Sequence, residues 1–327
     1  MAKKKKLPKV FDYFRDEDPF AGGLSFCSGC PLELLLRFMS KVLGSEIVIV
    51  GTPSCSATVL FGQNIGSWHK LAYYSCLMTG VASSATGITR YYRKLGKNIT
   101  VVVFTGDGCA ADVGFQPLSG AAERNENFIY ITYDNEGYMN TGIQRSSTTP
   151  FGAWTTTTPV GKARRGNETM GKNLPLLMAM HKIPYTATAT LSHLEDLAQK
   201  LIKAKEKKNK GLAYIHIFCP CPTGWGFATD LAIEVCRRSV RTNYFPLWEA
   251  EKGKFRLTRK IDKPRPLKEL LEMMSKFAHL TDEEIATLEK EVQERYKLIE
   301  GMTQMWPLEE SPLTSKKSEG QKSKKPA

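Results

Sequence analysis

Two short runs in the middle of the chain carry the residue types for chemistry on a phosphorylated ligand. Gly106-Asp107-Gly108 follows an apolar, β-branched stretch at 99–105, and a second such stretch at 128–133 leads into a polar run containing Asn135. Twenty-six residues separate Gly108 from Asn135, and residues 112–124 between them suit a helix. The segment therefore reads as strand, helix and strand, with both motifs at strand ends. On adjacent parallel strands, Asp107 and Asn135 stand side by side, where a hard divalent cation can take a carboxylate, an amide oxygen and a backbone carbonyl while phosphate oxygens complete its shell. Gly106 and Gly108 let the backbone approach those phosphates, and the next helix aims its free N–H groups at them. A lone GDG also suits an ordinary turn; the spaced Asn and the two strands give it weight.

Cysteine forms the second constellation. Cys27-Ser-Gly-Cys30 is a CxxC, and Cys55, Cys219 and Cys221 fall in loops or at predicted strand ends on the same edge of the sheet, so they can complete a four-thiolate site. Spacing alone admits structural zinc, a thiol redox pair or an iron–sulfur cluster, and leaves Cys219 and Cys221 as competitors. Cys76 and Cys236 have helical surroundings and read as buried structural thiols. The five histidines, His69, His181, His193, His216 and His279, are scattered and read as structural or exposed.

The elements around these residues alternate. Residues 1–22 read as a polar, extended arm suited to lie on a partner. Pro31 opens an amphipathic helix over 32–43, and a strand at 46–50 leads to the loop of Cys55. Residues 71–93 are rich in small side chains and suggest one tightly packed helix, whereas 155–162 carry too many β-branched hydroxyls to be helical. Strands at 185–189 and 212–218 flank a helical run at 191–208, the pattern of an α/β, doubly wound, mainly parallel sheet. Two helices are expected at 267–277 and 282–299, the second capped by Thr281 with Glu284 three residues on. This divides the chain into an arm (1–22), a binding domain (23–260), a C-terminal helical extension (261–306) and a basic tail (307–327) with a disordered composition.

A 327-residue chain with 42% hydrophobic residues can bury a sizeable core. Its net charge of +13 suggests nucleic acid at first sight. However, Lys3 to Lys6 contribute four charges and the last thirteen residues a net four more, leaving about +5 on the body, which argues for solvated lysine tails and against a nucleic-acid partner. The N-terminus lacks a secretory apolar core, and no apolar run is long enough to span a bilayer. A cytoplasmic location is expected, where thiols stay reduced and serve metal or redox duty rather than disulfides.

Beyond spacing, the strings DNEGYMNTG (134–142), QRSSTTPFGA (144–153), TTTTPVGK (155–162) and PCPTGW (220–225) resemble the β subunit of the multi-subunit pyruvate:ferredoxin oxidoreductases, and the similarity covers residues 20–260. The resemblance implies a thiamine diphosphate-binding fold. It implies Mg²⁺ on Asp107, Asn135 and the Gly137 carbonyl, with Gly106, Gly108, Cys109, Asn140 and Thr141 also at the cofactor and Asn140 as the catalytic residue beside the reacting centre. It further implies a [4Fe–4S] cluster on Cys27, Cys30, Cys55 and Cys221, with Cys219 as a packing residue. Cys109 and Pro31 stand where the family commonly has glycine. The implied reaction is oxidative decarboxylation of pyruvate to acetyl-coenzyme A and carbon dioxide, with electrons passing through the cluster to ferredoxin, a reaction of anaerobic metabolism. Branched-chain 2-oxoacids or oxalate are alternative substrates; a non-redox thiamine lyase or carboligase with structural zinc, or a non-catalytic assembly subunit, are alternatives of another class. The family places the pyrimidine-activating glutamate on another subunit, and no ferredoxin-type CxxCxxCxxxCP run occurs here. The implied partners are thus a pyrimidine-domain α subunit, a coenzyme A-binding γ-type subunit and a ferredoxin-like δ-type subunit.

Overall fold

The apolar runs become the centre of one eight-stranded sheet. In the computed structural model, which describes residues 10–14, 18–60 and 69–309, the strands are β1 (Ile47–Gly51), β2 (Ala72–Ser75), β3 (Thr100–Gly106), β4 (Ile129–Asp134), β5 (Tyr185–Thr190), β6 (Ala213–Phe218), β7 (Leu247–Glu251) and β8 (Lys254–Arg259). Their order is β2-β1-β3-β4-β6-β5-β7-β8. All pairings from β2 to β5 are parallel, whereas β7 runs antiparallel to β5 and β8 to β7. β4 and β6 are buried along their whole length, which explains why they read as continuous apolar runs without alternation.

Helices cover both faces: α1 (Pro31–Leu43), α2 (Ala57–Leu60), α3 (Val81–Lys94), α4 (Phe115–Glu123), α5 (Leu174–Met180), α6 (Leu194–Lys207), α7 (Pro222–Trp225), α8 (Ala232–Arg241), α9 (Lys268–Leu271) and α10 (Asp282–Met305). Side chains of α1 and α6 pack with Ile47, Ile49, Val102 and Phe104 on one face; those of α3, α4 and α5 pack with Val101 and Val103 on the other. From β1 the chain crosses to β2 on one side, and from β3 it continues to β4 on the other. The crevice at the carboxyl ends of β1 and β3 is therefore a topological switch point, the place where open α/β sheets bind ligands.

Several expectations need correction. Residues 71–93 hold strand β2 before helix α3, because the exposed Ala-Tyr-Tyr-Ser run pairs with the edge of β1, and Cys76 lies beyond that strand and not in a helix. Residues 267–277 form only the turn α9 and a 3₁₀ turn (Ser275–Phe277). The arm is not simply polar and extended: Val10–Tyr13 is a 3₁₀ turn, and Tyr13 and Phe20 are buried in the chain's own core. The hairpin β7–β8 was not expected; its turn, Lys252-Gly253, takes positive φ at both residues (50° and 83°) without the usual Asn-Gly signal. The extension at 261–306 contributes Leu267, Leu271 and Leu288 to a core shared with Phe218 and Trp225. The capping box at Thr281 and Glu284 is present as read. Lys3 to Lys6 and the tail from 310 onward lie outside the described residues.

Candidate functional site

Asp107 sits at the turn out of β3, fully buried, and Asn135 and Gly137 follow β4, the neighbouring strand. Its Oδ2 accepts hydrogen bonds from Ser146 Oγ at 2.6 Å and Thr148 Oγ1 at 2.8 Å, and its Oδ1 accepts the Asn135 backbone N–H at 3.2 Å. These donors are all neutral. Burial, and next the charge of Asp134, push the Asp107 carboxyl well above the usual carboxylate range. One end of the Asn135 amide lies 2.9 Å from the Gly137 carbonyl oxygen and 3.0 Å from Asp107 Oδ1. These groups converge in a buried crevice, and when the amide presents its oxygen they form a donor set that an oxygen-seeking cation can take. The amide also fits reversed, with Nδ2 donating to both oxygens at the same distances.

The loops that carry these oxygens are held by a second set of buried contacts. Glu136 has a left-handed φ of 60°, which costs an L residue about 1–2 kcal/mol. Its carboxylate accepts from Tyr244 OH at 2.6 Å and pairs with buried Lys276. Lys276 in turn lies over the Trp225 ring, 3.4 Å from its centroid, and the Trp225 indole N–H donates to the Asn135 carbonyl at 2.8 Å. The PCPTGW loop and the loop after β4 are thereby fixed to each other. Tyr138 OH donates to the Gly108 carbonyl at 2.7 Å with its ring packed so closely that a Cβ at 108 would come within 2.6 Å, so Gly108 is needed for this ring. A helical turn does follow GDG, but Gly108–Val113 is a π turn and α4 begins only at Phe115. Asp112 in that turn accepts the Ser147 backbone N–H at 3.2 Å and so ties down the loop that supplies Ser146 and Thr148.

Beside this cradle, cysteines arrive from three loops. Cys27 and Cys30 form a turn closed by Cys30 N–H to Cys27 O at 3.0 Å, with Pro31 opening α1 directly after it. Gly29 between them has φ of +69° and lies against the Thr229 backbone, where any Cβ would clash. Cys55 follows β1, and Cys221 follows β6 with its Sγ accepting the Gly224 N–H at 3.2 Å. Cys27 is exposed and the other three are half-buried. Burial first, and then repulsion from Cys221 and neighbouring thiols, push Cys30 and Cys55 up to about 12. Among the described residues, however, no three His, Cys, Asp or Glu side chains are drawn together as a single metal ion requires.

Residues 50–217, just over half of the chain, match the family model for the C-terminal thiamine pyrophosphate-binding domain of thiamine pyrophosphate enzymes. The pyruvate synthase subunit PorB of Methanocaldococcus jannaschii is 40% identical over 294 residues, which cover 88% of this chain and 98% of that protein. The chain belongs to the β-subunit family of the 2-oxoacid:ferredoxin oxidoreductases. The ketoisovalerate oxidoreductase subunit VorB of Pyrococcus horikoshii is 38% identical over 89% of this chain and 95% of its own. The β subunit of NADH-dependent phenylglyoxylate dehydrogenase of Aromatoleum evansii is 43% identical over 88% of this chain, which spans only 65% of that longer protein. Among solved structures, 2-oxoglutarate:ferredoxin oxidoreductase from Magnetococcus marinus matches with a TM-score of 0.51 and 25% identity over 67% of this chain and 70% of that one.

Not every residue expected at a cofactor stands where a β subunit's motif suggested. Cys109 is buried in the core, with its Sγ donating to the Met78 carbonyl, so its side chain serves packing and only its backbone stays at the turn. Cys219 is likewise buried, and its N–H donates to the Asp134 carbonyl. Asn140 and Thr141 are exposed, and Thr141 Oγ1 bonds Gln144 at 2.6 Å. His216 on β6 is buried between Asp134 Oδ2 at 2.7 Å and Tyr214 OH at 2.8 Å, the structural role expected of it. Sequence reasoning missed Ser146, Thr148, Glu136 and Lys276. The first three lie inside strings that carried the resemblance; Lys276, 140 residues from its partner Glu136, gave no signal. No helix among the described residues is long and apolar enough to cross a membrane.

Proposed function

We propose that this β subunit holds the diphosphate end of thiamine diphosphate through Mg²⁺ on Asp107, Asn135 and the Gly137 carbonyl, carries a [4Fe–4S] cluster on Cys27, Cys30, Cys55 and Cys221, and works in oxidative decarboxylation of a 2-oxoacid. The observation that carries this reading is the buried convergence of the Asp107 carboxyl, the Asn135 amide and the Gly137 carbonyl at the carboxyl ends of β3 and β4, beside the switch point. When bound, thiamine diphosphate supplies the nucleophilic carbon for decarboxylation and the cluster accepts electrons one at a time. The chain's own residues do the rest of the work at this end. Ser146 and Thr148 orient the Asp107 carboxylate, the Glu136–Lys276 pair fixes the loop that presents Asn135 and Gly137, and Gly224 N–H donates to the Cys221 sulfur.

A single zinc needs its sulfurs about 3.8 Å apart, the edge of a tetrahedron with 2.3 Å bonds. The four cysteines come from three loops beside the proposed thiamine site, and redox thiamine chemistry favours an iron–sulfur group, which accepts single electrons, over zinc, which does not. The exposure of Asn140 and Thr141 supports a site completed by a pyrimidine-domain subunit, with coenzyme A-binding and ferredoxin-like subunits completing the complex and ferredoxin as acceptor. Pyruvate is the proposed substrate, because the PorB relative is matched over nearly its whole length. The 43% identity to a phenylglyoxylate dehydrogenase subunit favours, as a second reading, a 2-oxoacid with a larger side chain.

The test is anaerobic purification of the native complex, metal analysis, and a screen of 2-oxoacids for reduction of a viologen dye. Iron with pyruvate-dependent dye reduction is expected. Zinc without iron, or no response to any 2-oxoacid, contradicts the proposal.

A further inference from the structure

The Asn135 side chain faces both candidate sites at once. One end of its amide lies 2.9 Å from Gly137 O and 3.0 Å from Asp107 Oδ1, where Nδ2 donates to both, and the other end lies 4.0 Å from Cys55 Sγ. The backbone of the same residue is anchored on both sides, its N–H to Asp107 Oδ1 at 3.2 Å and its carbonyl to the Trp225 indole at 2.8 Å. A half-turn of the amide therefore needs no backbone movement. After that half-turn the amide oxygen faces Asp107 and Gly137, and Nδ2 faces the sulfur. Each orientation is right for one condition. With a cation in the cradle, oxygen must point inward; without one, three oxygens repel and the reversed amide relieves them with two hydrogen bonds.

From this geometry we infer that Asn135 is a positioning residue that links the two sites, reporting divalent-metal occupancy to the iron–sulfur ligand Cys55. The inference rests on the functional reading above. An N–H directed at a cluster sulfur stabilises the reduced, more negative cluster and raises its reduction potential; an amide oxygen in the same place destabilises it. Loading Mg²⁺ with thiamine diphosphate thus turns an N–H onto Cys55 and makes the cluster a better electron acceptor once the cofactor is in place.

The experiment uses the intact complex. The cluster's midpoint potential is measured by spin-resonance titration with Mg²⁺–thiamine diphosphate and after chelation, in wild type and in Asn135→Asp. The aspartate offers oxygen to the cation in either orientation but has no N–H. Its carboxylate is itself neutralised by the cation, so the potential is judged in wild type and the variant serves as the control lacking the N–H in the nitrogen readout below. The expected result is a metal-induced rise in wild type; no rise overturns the link. A second readout does not depend on the variant binding metal. With ¹⁵N-labelled asparagine, the reduced cluster of wild type should show nitrogen modulation in spin-echo spectra when metal is present, diminished on chelation, and identical spectra in both states overturn the link. Absence of iron from the wild-type complex is a different failure: it removes the functional reading, and the link with it.

Discussion

Two buried carboxylates in different parts of the same sheet have opposite surroundings. Glu249 on β7 is only 1% exposed, yet it receives Lys203 Nζ at 2.7 Å, Tyr185 OH at 2.7 Å and the Arg256 guanidinium, whose Nε lies 3.1 Å away. Burial alone would raise it, but Lys203 and these hydrogen bonds hold it down at about 2. Asp107 is buried as deeply, receives only neutral donors, and faces Asp134; it is pushed up. A buried charge with its counter-charge in the chain is scaffold. One held only by neutral donors has the surroundings that the proposed Mg²⁺ site requires.

The cysteines divide along the same line and give the largest expected effect. Cys221→Ser should lose essentially all of the roughly four irons per chain, whereas Cys219→Ser, a change within the packed core, should keep them. Iron analysis of the two variants reads this, and the reverse result would move the ligand from one cysteine to the other. On the scaffold side, Glu249→Ala leaves Lys203 and Arg256 without their shared anion, and should cost about 3–5 kcal/mol in denaturant unfolding while thiamine diphosphate affinity is unchanged. Acid should act in the same direction at wild-type Glu249. Because its folded value lies below the unfolded one, its contribution is complete above about pH 4.5 and is lost as the pH falls toward 2, a span worth about 3 kcal/mol. Asn140→Ala should barely touch the fold, within about 0.5 kcal/mol for an exposed position. There the comparison sharpens in kinetics: turnover of the complex should fall with cofactor occupancy retained, and unchanged turnover would remove Asn140 from the reacting side.

The central strands were legible because burial on both faces leaves unbroken apolar runs, and Asp107 and Asn135 were legible because strand ends on neighbouring strands fix their distance. The hairpin β7–β8 was not. Its strands mix Trp248 and Phe255 with five charged residues at an edge, and Lys252-Gly253 hides the turn. Residues 71–93 misled because an exposed edge strand next to a helix has no periodicity of its own. In the site, the oxygen donors were readable from type and spacing, but their support was not. Lys276 reaches Glu136 through packing of the C-terminal segment, and nothing local to Ser275-Lys276-Phe277 marks that contact. Cys109 was placed at the cofactor by motif position, whereas the π turn directs its side chain into the core.

The most direct measurement takes one variant, Asp107→Asn, and reads two properties of it. Calorimetry with Mg²⁺ and thiamine diphosphate should show affinity reduced by about 100-fold or more, since a direct ligand is lost where supporting residues alone cost about 10–100-fold. Thermal unfolding without ligand should show an unchanged or raised melting temperature, because burial disfavours the charged form of the Asp107 carboxyl and the amide removes that penalty. Unchanged affinity, or a loss of stability like that expected for Glu249→Ala, would show that Asp107 belongs to the scaffold after all.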